Sequence, residues 1–446
     1  MNIRKLSEAE GLHMDHITAA VHHPSLSIAG VLQALASPQA MGVYLLILLA
    51  LVAILTAYIL VALHLIRKHT ETLPPTPAAK PSGQDSAIQA SRFHNLSKLD
   101  QLPQAEDLPY QVIRLDKLCD DFRNFAASRL HLYYDIADIR RFVAGLSISR
   151  LVLLRGMSGT GKTSLAYAAG AFFGNPSTII PIQPMWKERS DIIGYFNEFT
   201  KRFNETTLLC KLYEAGGSSQ LYMTVLDEVN IARIEYYFAE FLSLLEIPDP
   251  QKRLLDVVAD SWDTDPKRLV DGKLLLPENM WFIGTANNDD STFAISDKVY
   301  DRAAVLDLDR KCSPFVAKDT PPVRISYEEL CRKFSEAVAA NPLSPVLQEQ
   351  LSRLDQYLSE VFRVSFGNRI LQQIRQYVPV MAACGGKAED ALDDILARKI
   401  LRKLEQLSPA LIKNEVPKLV LFLEELFGSD SMPLCRDFLD RLQRSV

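Results

Sequence analysis

Leu151-Val-Leu-Leu-Arg-Gly-Met-Ser-Gly-Thr-Gly-Lys-Thr163 decides the fold. An apolar run suited to a buried strand ends in Gly156-Met157-Ser158-Gly159-Thr160-Gly161-Lys162-Thr163, the spacing of a phosphate-binding loop, and an Ala-rich helical segment follows. The chemistry explains the composition. Backbone N–H groups must close around a polyphosphate, and side chains there would obstruct them, so glycine recurs. Lys162 offers a fixed positive charge to the β- and γ-phosphates, and the Thr163 hydroxyl is a hard oxygen suited to Mg²⁺. The helix opened by Thr163 turns its N-terminal dipole end toward the anion. Gly156, Ser158, Gly159, Thr160, Gly161, Lys162 and Thr163 are therefore the expected nucleotide-binding residues.

Downstream, Leu221-Tyr-Met-Thr-Val-Leu-Asp227-Glu228 reads as a buried strand that delivers two carboxylates at its C-terminal end, the edge where open parallel sheets bind ligands. Asp227 is placed to hold the Mg²⁺ shell, and Glu228 to orient a water for in-line attack on a γ-phosphorus. STIIPIQP supplies a strand before it. A stripe of Ile231, Ile234, Phe238, Phe241 and Leu245 reads as the apolar face of a helix. Asp271-Gly272 marks a hairpin. The strand Met280 to Thr285 leads to Asn287, and AAVLDLD begins just after Arg302. Five strands alternating with helices make an α/β fold with a parallel sheet. Leu108 to Leu146 reads as helix ahead of this domain. From about Val323 onward the periodicity is helical, without β signals.

The 446 residues suffice for two or three domains, and a composition of 48% hydrophobic and 23% charged residues is that of a globular protein. A net charge of −5, with basic residues matched by acids, gives no drive toward nucleic acid. The six cysteines are scattered without a C-x-x-C pair, which argues against zinc and against a disulfide framework. Met41 to Leu63 carries no charge and is long enough to cross a bilayer of roughly 30 Å. Arg67 and Lys68 follow it directly, so the positive-inside rule orients the C-terminal side to the cytoplasm. Four histidines (13, 16, 22, 23) lie in the tail before it, which reads as unstructured, with a metal site as the competing reading. A Pro-, Ala- and Ser-rich linker comes after it.

The ordered motifs together resemble those of the AAA+ ATPases, in particular the dynein/midasin-related group that holds McrB-like and MoxR-like proteins. The residues that carry the resemblance are the phosphate loop, PMWKERSDIIGYFNEFTKRFNETTLL, VLDEVN (225–230), the hairpin with LPENMWFIGTANN, Asp297-Lys-Val-Tyr-Asp-Arg302, and FGNRILQQI. The resemblance implies that Asn287 is the sensor 1 residue assisting Glu228, that Arg302 reaches the γ-phosphate of a neighbouring subunit, and that Arg369 reports nucleotide state to a helical lid. The competing readings are a surface ion pair of Arg302 with Asp301 or Asp297, and an ordinary solvated helix position for Arg369. Two departures stand out. Ile231 occupies the place where McrB-like proteins tend to have arginine, and Asn288-Asp289-Asp290 replaces the usual Thr-Ala-Asp, so a guanine preference does not carry over. The DNA-reading module of McrB has no counterpart.

The expected organisation is an extracytoplasmic tail (1–40), a transmembrane helix (41–66), a linker (67–107), a helical lead-in (108–147), a P-loop AAA+ α/β domain with a five-stranded parallel sheet (148–320) and a helical lid (321–446). The expected activity is hydrolysis of ATP, with GTP as the alternative, using Mg²⁺. The expected partners are further copies of the chain in a ring, most often a hexamer, a protein partner remodelled or gated at the cytoplasmic face, and the lipid bilayer through one span. That places the chain in the inner (plasma) membrane with its N-terminus outside. A slow nucleotide-dependent switch or scaffold, for example in a bacterial defence or signalling complex, is the competing reading.

Overall fold

The computed structural model describes residues 50–51, 55–57, 91–102, 110–287, 292–429 and 431–446. The chain divides into two compact units, Met1–Ala87 and Ile88–Val446. Of the first, residues 50–51 and 55–57 are described, in helix.

No helix among the described residues is long and apolar enough to cross a membrane. The transmembrane helix over 41–66 is withdrawn, and with it the inner-membrane location, the outward N-terminus and the bilayer as partner. An uncharged run is necessary for a span but not sufficient, because a span also needs about 20 residues of unbroken helix. Most of Met41–Leu63, the histidine-bearing tail and the linker up to residue 90 lie outside the described residues.

In the second unit the strands are β1 (Leu151–Gly156), β2 (Thr178–Pro181), β3 (Gly194–Asn197), β4 (Arg202–Glu205), β5 (Tyr222–Asp227), β6 (Leu254–Asp256), β7 (Leu269–Val270), β8 (Lys273–Leu275), β9 (Met280–Asn287) and β10 (Ala304–Asp307). Five of them form one parallel sheet in the order β10-β1-β9-β5-β2. Its strands are nearly continuous apolar runs because both faces are covered. The two-residue alternation divides them cleanly. Val152, Leu154, Met223, Val225, Trp281 and Ile283 pack into one core, and Leu151, Leu153, Tyr222, Leu226, Met280 and Phe282 into the other. The first core holds the helices Leu115–Leu130, Ile136–Ile148 and Lys162–Phe172 and the whole C-terminal helical region. The second holds Tyr213, Phe238 and Phe241.

Of the small strands, only the hairpin at Asp271-Gly272 was legible. β3 and β4 form a two-stranded hairpin, and β6, β8 and β7 a three-stranded sheet around the Asp271-Gly272 turn. Their two to four residues are too short for a periodic signal. The helical stripe from Ile231 divides into Ile234–Tyr237 and Ala239–Leu244. The lead-in is likewise two helices, separated at His131, which adopts a left-handed conformation with φ 56°.

Residues 91–102, inside the stretch assigned to the linker, belong to the fold. Arg92 is 2% exposed and ion-paired with Asp265 at 2.8 Å and Asp260 at 3.0 Å, and Phe93 stacks on Phe203.

The C-terminal region is helical throughout, from Tyr327–Ala340 and Pro345–Phe362 through Gly367–Ala383 and Ala388–Ile395 to Pro409–Phe427 and Pro433–Arg444. Its first two starts are set by serine caps: Ser326 accepts from the Glu329 amide, and Ser344, followed by Pro345, from the Leu347 amide. Between 396 and 406 the turns are π and then 3-10 rather than α, and this irregular run grips the α/β domain. Arg402 pairs with Asp297 at 3.0 Å and Lys403 with Asp301 at 3.1 Å, and within the helical region the Lys399 ammonium donates to Gln373 Oε1 at 2.5 Å.

Lys399 is 4% exposed, and burial pushes its ammonium down to about 7. Between that value and the ordinary 10.5 the unfolded chain holds one more proton than the folded chain, so stability rises with pH across this window. Lys399→Met removes that dependence. The melting-temperature difference, wild type minus variant, is expected to move in favour of the wild type by a few degrees from pH 7 to pH 10. A difference that stays flat, measured by thermal unfolding at both values, sinks the expectation.

Candidate nucleotide site

The sheet order makes β1 a neighbour of the two last strands in the chain, β9 and β10, and the loop after β1 opens at that switch of direction. Gly156 takes φ 144°, and a side chain on it would meet the Leu308 carbonyl oxygen at 2.3 Å, so only glycine fits where β1 passes the end of β10. Gly161 takes φ 94° and leads into the helix Lys162–Phe172, which has no side-chain cap. The positive dipole end of that helix faces the loop, where an anion would sit. Lys162 is 6% exposed, and its ammonium donates to the Gly156 and Met157 carbonyls at 3.0 and 2.7 Å. The Thr160 hydroxyl also donates to Met157, at 3.0 Å.

The acidic pair arrives from the adjacent strands. Register places Asn287 opposite Gly156, and β5 lies on the other side of β9. Asp227 Oδ1 accepts from the Thr163 hydroxyl and from the Thr285 hydroxyl, both at 2.8 Å. Glu228 sits just past the strand with φ 56°, a strained conformation for a non-glycine residue. It is held by its own amide, which donates to Thr285 Oγ1 at 2.9 Å. Asn287 Nδ2 donates to Glu228 Oε1 at 3.4 Å. The structure thus brings Lys162, Thr163, Asp227, Glu228 and Asn287 together at one edge of the sheet.

The Thr163 hydroxyl and Asp227 carboxylate are hard oxygens on neighbouring strand and loop ends, which fits Mg²⁺. Among the described residues no group of three or more His, Cys, Asp or Glu side chains is gathered to hold a metal.

Three residues of this site were missed from sequence. Thr285 precedes Asn287 by two on the same strand, so it shares a face with it, and that spacing was a usable signal. The Tyr134 hydroxyl donates to the Gly161 carbonyl at 3.0 Å and steadies the loop from the first helical pair. Asn230 donates to the Asn287 carbonyl at 2.8 Å and to the Thr292 hydroxyl at 2.9 Å. Neither of the last two contacts has a local sequence signature.

Arg302 and Arg369 are placed elsewhere. The Ser149 hydroxyl donates to the Arg302 carbonyl at 2.6 Å, which puts Arg302 level with the start of β1. At about 3.3 Å per residue, β1 separates that level from the phosphate loop by roughly 17 Å. Asp297 and Asp301 are taken by Arg402 and Lys403. Arg302 pairs instead with Glu246, Nε to Oε1 at 2.8 Å, and Arg369 pairs with the same oxygen. The two arginines therefore lie side by side at the sheet edge opposite the loop.

The fold and this arrangement define an α/β protein with a five-stranded parallel sheet and a helical C-terminal region. Residues 324–446 match a family described as a domain of unknown function (DUF8727). No curated protein matches the chain. Among solved structures it is similar to a full-length MCM homologue from Methanopyrus kandleri, at 13% identity with a TM-score of 0.34, over 72% of this chain and 61% of that one. The chain thus spans about three fifths of the length of that protein.

Proposed function

We propose that this chain is a nucleoside triphosphatase of the AAA+ kind, using ATP, or alternatively GTP, with Mg²⁺. The observation that carries the reading is the convergence of Thr163, Asp227, Thr285, Glu228 and Asn287 beside Lys162 at the mouth of the glycine loop. The loop amides and Lys162 bind the β- and γ-phosphates. Thr163 and Asp227 hold Mg²⁺, which when bound neutralises charge on the phosphate oxygens. Glu228, kept in place by Thr285 and assisted by Asn287, orients the attacking water and accepts its proton. The cleft beside Met157, walled by Ile136, Arg398 and Phe438, takes the base and ribose. Arg302 and Arg369 serve the triphosphate of an adjoining copy in a ring, most often a hexamer, and the work is done on a protein partner.

The test is phosphate release by the full-length protein with ATP or GTP and Mg²⁺. Glu228→Gln is expected to bind nucleotide as the wild type does and to turn over about 10²- to 10⁴-fold more slowly, the usual contribution of a positioned base. Equal turnover by the two proteins removes Glu228 from the role. Tight binding with negligible wild-type turnover supports the slow switch instead.

A further inference from the structure

Glu246 stands just past the helix Ala239–Leu244, at the sheet edge opposite the phosphate loop. It is half-buried, and one of its carboxylate oxygens faces two guanidiniums from separate parts of the fold. Arg302 comes from the segment before β10, and Arg369 from the first turn of the lid helix Gly367–Ala383. The three residues line one cleft, together with Arg150, Arg253 and Glu278. Four arginines against two glutamates leave the cleft net positive. Glu278 accepts from the Tyr327 hydroxyl, and Arg150 and Arg253 donate to neutral oxygens of Tyr327 and Ile247. The charge of Arg302 and Arg369 is thus answered by a single carboxylate.

We propose that Glu246 is a resting counter-ion that occupies the place a neighbouring copy's triphosphate takes on assembly, and that its displacement gates turnover. The inference rests on the reading of Arg302 and Arg369 as residues acting on an adjoining subunit. One carboxylate oxygen shared by two arginines gathers both guanidiniums around a single anionic point, where a phosphate group could meet both. It also withholds them until a stronger anion competes. A γ-phosphate carries more charge and more acceptor oxygens than a carboxylate, and wins only when the neighbour is loaded. Because Glu246 joins the α/β domain to the lid helix through Arg369, its release also frees the lid at that point. Glu246 is a positioning residue here and touches no reacting atom.

The experiment compares full-length wild type, Glu246→Gln, Glu246→Asp, Arg302→Ala and the Glu246→Gln/Arg302→Ala pair at concentrations where the chain self-associates. Nucleotide affinity of the loop and saturated turnover are measured separately. Glu246→Gln is expected to raise saturated turnover roughly three- to tenfold, the scale of one partly buried ion pair, and to leave the loop's affinity unchanged. Glu246→Asp, which keeps the charge, is expected to stay near the wild-type rate. The double variant is expected to match Arg302→Ala. Glu246→Ala keeps the test open if the Gln form does not fold. A folded, assembling, uncharged variant with turnover at or below wild type overturns the inference, since Glu246 then helps place the arginines. Arg302→Ala alone reports on the underlying reading: full activity there removes the trans arginine, whatever Glu246 does.

Discussion

Lys162→Ala is expected to abolish nucleotide binding by the full-length protein. The Lys162 ammonium lies buried under the loop, held by the Gly156 and Met157 carbonyls at 3.0 and 2.7 Å. A polyphosphate entering the loop offers charged acceptors in place of neutral carbonyls. Charge-assisted hydrogen bonds are worth about 1.5–3 kcal/mol each. Two of them, to the β- and γ-phosphates, amount to roughly 10²- to 10⁴-fold in affinity. Alanine removes them and leaves the loop amides and the helix N-terminus as the only attraction. The substitution also uncovers two carbonyls, so circular dichroism and thermal unfolding should accompany the binding measurement. Calorimetric titration with ATP and with GTP reads the effect directly. A folded Lys162→Ala protein that keeps wild-type affinity for both nucleotides shows that the glycine loop is not the site.

Much of the α/β core was legible because its signals are local. β1, β5 and β9 are strands of at least six residues with largely apolar cores; β1 runs into the glycine loop, and β5 and β9 end in Asp227 and Asn287 at the same edge. Chain order alone therefore put the loop, Asp227, Glu228 and Asn287 on one rim. What the sequence withheld are contacts between distant segments. Tyr134 meets Gly161 across 27 residues, and Arg92 meets Asp265 across 173. No periodicity encodes either contact. Arg302 was read as an outward-facing arginine, with Asp297 and Asp301 as alternative partners. Its observed partner, Glu246, lies 56 positions earlier, on the far end of a helical stripe that looked like plain core. The apolar run 41–63 marks the opposite failure. Its length and lack of charge suggested a span, and no helix among the described residues is long and apolar enough to cross a membrane.

Arg302→Ala is expected to bind nucleotide normally and to hydrolyse it about 10³- to 10⁵-fold more slowly, the range of an arginine acting on a γ-phosphate in flight. The geometry behind this is the separation of the two functional edges. Lys162, Thr163, Asp227, Glu228 and Asn287 gather at the C-terminal ends of the strands, whereas Arg302 stands at the level of Ser149, before β1 begins. An arginine so placed cannot serve its own loop without unfolding the strand between them. Near the loop, Arg155 is occupied with Asp307 at 3.7 Å and lies over the Tyr300 ring. In the proposed reading a complete site takes two copies, one giving the water-orienting carboxylate and the other the guanidinium. Mixing decides the matter. Glu228→Gln and Arg302→Ala proteins, each inactive alone, are expected to recover part of the wild-type phosphate release when co-assembled. Only mixed assemblies contain a site with an intact Glu228 facing a neighbour's intact Arg302. Absence of recovery in verified mixed assemblies would count against hydrolysis shared between subunits, and an Arg302→Ala protein with unchanged turnover would remove this residue from the chemistry.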